Sequence, residues 1–135
     1  MKQAVVYLTK TGHSRKLAHA VAEVLGVPAQ AVKNSPSLPE DCQLFLVGGI
    51  YGGHSLPPML EYAHSLSPER VRQAVLITSC TTGQTRQDDV RQALLQNGIP
   101  VADEFVCRGS FLFLGLGHPN KQELADAAAF AKRQS

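Results

Sequence analysis

Ala4-Val5-Val6-Tyr7-Leu8-Thr9-Lys10-Thr11-Gly12-His13-Ser14 carries an apolar run of strand length straight into a polar glycine turn. The apolar residues do not alternate with polar ones, so they read as a strand covered on both faces. Beyond the turn, Leu17, Val21, Val24 and Leu25 recur at helical spacing, and Gly26 stands where a helix takes its C-terminal glycine. Strand, glycine turn and helix therefore follow one another in order.

That order returns along the chain. Leu44-Phe45-Leu46-Val47 reads as a second buried strand, followed by a loop from Gly48 to His54 and a helix opened by Pro57-Pro58, with Leu60, Ala63 and Leu66 on one face. Ala74-Val75-Leu76-Ile77-Thr78 is a third strand, leading through a polar loop to a helix that carries Val90, Ala93 and Leu94 and stops at Asn97-Gly98. Val101 to Cys107 is expected to be a further strand, and Asn120 to cap a last helix with Leu124, Ala127, Ala128 and Ala131 inward. Val27 to Val32 holds a short edge strand, and Asn34 to Pro39 a surface loop.

Strands alternating with helices predict an α/β domain over residues 1–135, with a parallel sheet covered on both faces by right-handed crossovers. About five strands are too few for an eight-fold barrel. In an open sheet of this kind a ligand sits outside the carboxyl ends of the strands, which picks out Thr9 to Ser14, Gly48 to Ser55 and Ser79 to Thr85.

Composition narrows the function classes. The chain has 135 residues, 44% of them apolar, and a formal net charge of +2, enough for a core without staples. Cys42, Cys80 and Cys107 are odd in number and widely spaced, which disfavours a disulfide scaffold, structural zinc or an iron–sulfur cluster. The five histidines show no metal spacing. No apolar run approaches a membrane span and the start lacks a signal pattern, so a cytoplasmic address is expected. The eight aromatic residues do not interleave with a basic stripe, which disfavours nucleic acid.

Thr9-Lys10-Thr11-Gly12-His13-Ser14 places hydroxyls and a glycine between a buried strand and a helix start. Backbone N–H groups, hydroxyls and the positive end of the helix dipole converge there into an anion site, with phosphate as the natural occupant. The plainer reading is a tight turn with an N-cap. The stretch lacks the Gly-Lys-Ser/Thr ending of a nucleotide-hydrolysing loop and the GxGxxG of a dinucleotide fold.

In these residues the chain resembles the flavodoxin family, whose aromatic-containing strand runs into Ser/Thr-x-Thr-Gly-x-Thr. Gly48-Gly49-Ile50-Tyr51-Gly52-Gly53-His54-Ser55-Leu56-Pro57 is similar to the second flavin loop of short members, and Phe105 to Gly109 and Gly117 to Asn120 to their tail. The resemblance covers nearly the whole chain. It implies a three-layer flavodoxin-like sandwich, a five-stranded parallel sheet in the order 2-1-3-4-5, and non-covalently bound FMN. The phosphate would lie on Thr9, Lys10, Thr11, Gly12, His13 and Ser14. The ring would lie between Ile50, Tyr51, Gly52 and Gly53 on one side and Ser79, Cys80, Thr81, Thr82 and Gly83 on the other. Tyr51 offers an aromatic face, and alone would read as a packing tyrosine. The chain differs from the family's acidic, Trp-containing electron carriers in its pI of about 8.5 and its lack of Trp.

A rival lies in the third loop. Cys80-Thr81-Thr82-Gly83-Gln84-Thr85-Arg86 matches Cys-x-x-Gly-x-x-Arg, in which a phosphatase thiolate attacks phosphorus and the arginine clamps the oxyanion. Its flanks, Ser79 and Gln87, differ from the His and Ser/Thr usual in that signature. The end of the first strand holds no acidic cluster for a receiver domain's Mg²⁺, and no Asp-x-His-x-x-Gly for cobalamin occurs. The expected function is therefore electron transfer through bound FMN with no catalytic side chain of its own. A reductase or ferredoxin-like protein would be the partner. The alternatives are a cysteine phosphatase using Cys80 and Arg86, or an FMN-dependent NAD(P)H/quinone reductase.

Overall fold

Gln3–Leu8 (β1) lies inside the sheet rather than at its edge, which is why its middle residues are apolar without alternation: Ala4, Val5 and Val6 are all buried. The structure is a computed structural model and describes residues 1–9, 12–51, 54–80, 86–108 and 121–135, leaving out the side chains of residues 13, 51, 80, 107 and 108. The other strands are Ala29–Ala31 (β2), Cys42–Tyr51 (β3), His54–Ser55 (β4), Val71–Cys80 (β5) and Val101–Arg108 (β6). The helices are His13–Leu25 (α1), Pro57–Ser65 (α2), Asp88–Gln96 (α3) and Lys121–Gln134 (α4).

The sheet runs β2-β1-β3-β5-β6 with all four pairings parallel, and β4 pairs antiparallel to the end of β3. Leaving aside the two-residue β4, this is the order 2-1-3-4-5. One face carries Val6, Leu44, Leu46 and Leu76 against Met59 and Ala63 of α2 and Val90 and Leu94 of α3. The other carries Val5, Phe45, Val47 and Ile77 against Leu17 and Val21 of α1 and Ala127, Phe130 and Ala131 of α4.

Several expectations change in detail. Gly48 to Tyr51 continues β3 instead of opening a loop, because Gly48 and Gly49 pair with Thr78 and Ser79 of an equally extended β5. Val24 is 38% exposed, while Ala18 and Ala22 are buried beside Leu17 and Val21. At about 100° per residue, Val24 falls at the rim of the face those residues define. Met59 takes the buried place in α2, Leu60 is half-buried, and Leu66 is buried just past the helix end. In α4, Phe130 packs on Phe105 with ring centres 5.2 Å apart, and Ala128 is half-buried. Asn120, the expected cap, lies outside the described residues.

Candidate functional site

Because the long strands are parallel, Thr9, Tyr51, Cys80 and Arg108 reach one edge of the sheet together. The best-defined part of that edge is the start of α1. Gly12 precedes the helix at φ 92°, ψ −8°, a left-handed conformation that glycine adopts at little cost. Its N–H donates to Thr9 Oγ1 at 2.7 Å, and its carbonyl accepts the Lys16 N–H at 3.3 Å. The backbone N–H groups of His13, Ser14 and Arg15 therefore precede the first helical bond.

Ser14 is fully buried in that first turn, and its Oγ has no hydrogen-bond partner. A buried hydroxyl without a partner is uncommon and costs about 1–3 kcal/mol. The first turn holds no acidic residue, so no carboxylate of that turn competes for the N–H groups and the hydroxyl. These are the donors an anionic oxygen requires.

Two clefts flank Gly12. One, of about 470 Å³, is lined by Tyr7, Leu8, Thr9, Gly12, Arg15, Ala31, Lys33 and Asn34. The other, of about 670 Å³, runs between α1 and α4 past Arg15, Lys16 and His19 to Leu124. Arg15, Lys16 and Lys33 are exposed, and each makes the site more attractive to an anion.

The opposite side of the edge is fixed by polar contacts. Asp89 of α3 accepts from the Ser55 N–H at 3.0 Å and from Ser55 Oγ at 2.7 Å, tying β4 to the helix. Glu104 on β6 accepts from Thr78 Oγ1, the Gln87 N–H and Arg91 Nη2. Its Oε1 also lies 3.7 Å from Arg86 Nη1. Gln87 is fully buried; its Nε2 donates to Thr78 Oγ1 and to the Ile77 carbonyl, each at 3.1 Å.

Of the residues singled out in the sequence, Thr9, Gly12 and Ser14 meet at the α1 start, with the backbone of His13. Ile50 is buried and pairs with Ser55, so it is a strand residue rather than part of a loop, and Ser79 is buried beside Gly49. Tyr51 and Cys80 end their strands at the same edge. Lys10, Thr11, Gly52, Gly53, Thr81, Thr82 and Gly83 lie outside the described residues. The sequence reading missed Asp89, Gln87, Glu104 and Arg91. A polar Glu104 inside a strand was the available signal. Among the described residues, no group of three or more His, Cys, Asp or Glu could hold a metal ion, and no helix is long and apolar enough to cross a membrane.

No protein-family model and no curated protein matches the sequence. Solved structures do. A flavodoxin from the domain Archaea superposes with a TM-score of 0.67 at 14% identity, covering 97% of this chain and 94% of that one. The flavodoxin of Streptococcus pneumonia TIGR4 gives 0.62 at 15% identity, with 100% of both chains covered. The NAD(P)H:quinone oxidoreductase from Methanothermobacter marburgensis gives 0.66 at 12% identity, covering 100% of this chain and 96% of that one. The chain has the flavodoxin-like fold.

Proposed function

We propose that this chain binds FMN at the carboxyl ends of its strands and serves as an electron-transfer protein, acting as one domain over residues 1–135 in the cytoplasm. The observation that carries the reading is the buried Ser14 hydroxyl with no partner, set among the backbone N–H groups that precede the helical bond from Lys16 to Gly12. A phosphate there would receive those donors and the helix dipole, with Arg15 and Lys33 adding longer-range attraction. The flavin would supply the redox chemistry. The protein would hold the phosphate with Thr9, Gly12, Ser14 and their neighbours, and border the ring with Tyr51 and the segment beginning at Ser79.

The resemblance in sequence and the flavodoxins among similar structures support the same ligand. The pairing of Arg86 with Glu104 favours flavin over the phosphatase reading, since a phosphatase would need that guanidinium on its substrate. A reductase or ferredoxin-like protein would exchange electrons with the flavin. The FMN-loaded protein, kept anaerobic, should take electrons from a reduced ferredoxin and show no sustained quinone reduction with NAD(P)H. Many turnovers with NAD(P)H and quinone would replace the carrier reading with the reductase one, and hydrolysis of an aryl phosphate lost in Cys80→Ser would replace both.

A further inference from the structure

β5 ends at Cys80 and Gln87 stands just before α3, and residues at these two ends converge on one carboxylate. Glu104 has only 1% of its side chain exposed. Its Oε2 accepts from Thr78 Oγ1 at 3.2 Å on the outgoing side and from the Gln87 N–H at 3.0 Å on the returning side. Its Oε1 takes Arg91 Nη2 at 2.8 Å. Gln87 completes the closure by donating to Thr78 Oγ1. The same side chain reaches toward β3: a Cβ at Gly48 would lie 3.1 Å from Gln87 Oε1.

A buried carboxylate is costly unless charge and hydrogen bonds compensate it, and an apolar cluster of similar volume would often stabilise the protein as well. What the ionic cluster adds is geometry, since each of its bonds has a required length and direction. We infer that Glu104 is a positioning residue for the flavin site, fixing the distance between the end of β5 and the start of α3 at the sheet end where the ring would lie. The inference rests on the FMN reading. It assigns Glu104 no contact with the ligand.

Glu104→Gln keeps the size of the side chain but cannot accept at both oxygens, so either the Gln87 N–H or Arg91 is left facing a donor. Binding of FMN and of riboflavin should weaken together by about tenfold, the size of one lost charge-assisted hydrogen bond. Their affinity ratio should stay constant, because the ring and not the phosphate loses its support. The flavin midpoint potential should rise as a negative charge is removed, and in the flavin-free protein the Gln87 amide proton should exchange faster with solvent. Arg91→Met leaves the Oε2 contacts in place but takes from the carboxylate its 2.8 Å cation, so it should lower the melting temperature and weaken both flavins by less than Glu104→Gln does. Should Glu104→Gln fail to fold, Thr78→Val deletes one arm of the closure and should move affinity and exchange in the same directions by less, with the potential nearly unchanged because no charge is lost. Unchanged flavin affinity and potential in folded Glu104→Gln, with only a lower melting temperature, would overturn the inference. If the parent protein takes up no flavin the FMN reading fails, and exchange of the Gln87 amide still decides whether Glu104 holds the two ends together: an unchanged rate in Glu104→Gln overturns that hold as well.

Discussion

The Gly12 N–H donates to the Thr9 hydroxyl oxygen at 2.7 Å, so the residue that follows β1 closes the turn from which α1 begins. Thr9→Ala removes that acceptor and should cost about 1 kcal/mol of stability, as loss of a helix-start hydrogen bond does. Thr9→Ser should retain most of it. Urea unfolding of the two variants beside the parent measures the difference.

Ser14 should behave in the opposite way from Thr9 in the ligand-free protein. Its Oγ is buried without a partner, so Ser14→Ala relieves an unsatisfied group and should leave the apoprotein as stable or slightly more stable. FMN binding should weaken by about 1–3 kcal/mol, because a phosphate oxygen then lacks its buried donor. Riboflavin, without the phosphate, should bind the variant and the parent alike. Fluorescence titration of both ligands reads all of these outcomes.

Gly48 is required by space. A Cβ there would lie 3.1 Å from Gln87 Oε1 and 3.3 Å from Met59 Cε. The methionine end can move, but Gln87 is held by two bonds from its Nε2. Gly48→Ala should therefore destabilise the fold by about 1–3 kcal/mol through overpacking, and Gly48→Ala with Met59→Leu should recover little of it. Thermal or urea unfolding checks both.

Tyr62 gives the protein an alkaline limit. Desolvation by burial pushes its phenol up to about 12, with the neighbouring Cys42 adding in the same direction. The unfolded chain loses that proton near pH 10, so between about pH 10 and 12 the folded state holds a proton that the unfolded state has released. Stability should be unaffected below that window and fall as pH rises through it. Tyr62→Phe should remove this contribution to the decline. The Tyr62 hydroxyl is buried without a partner, so the substitution should cost little at neutral pH. Urea midpoints on either side of pH 10, for parent and variant, measure it.

The sheet was legible because β1, β3 and β5 are buried on both faces and so read as continuous apolar runs, each followed by turn residues. The strands proved longer than those runs, since Gly48, Gly49 and Ser79 keep the ladder pairing although they lack the apolar signature. The turn at Gly12 and the helix start that follows it were legible because both are local to a few residues. Glu104 and Gln87 were not. They are 17 residues apart and meet only when β6 is laid beside β5, and no sequence periodicity encodes that contact. Asp89 and Ser55, 34 residues apart, escaped for the same reason.

If the start of α1 holds the phosphate of a flavin, an equilibrium titration of the flavin-free protein with FMN will show it. The protein should take up one FMN per chain, with shifted flavin absorption bands, a rise in melting temperature with FMN concentration, and tighter binding than riboflavin. Saturating FMN that changes neither the spectrum nor the melting temperature would contradict it.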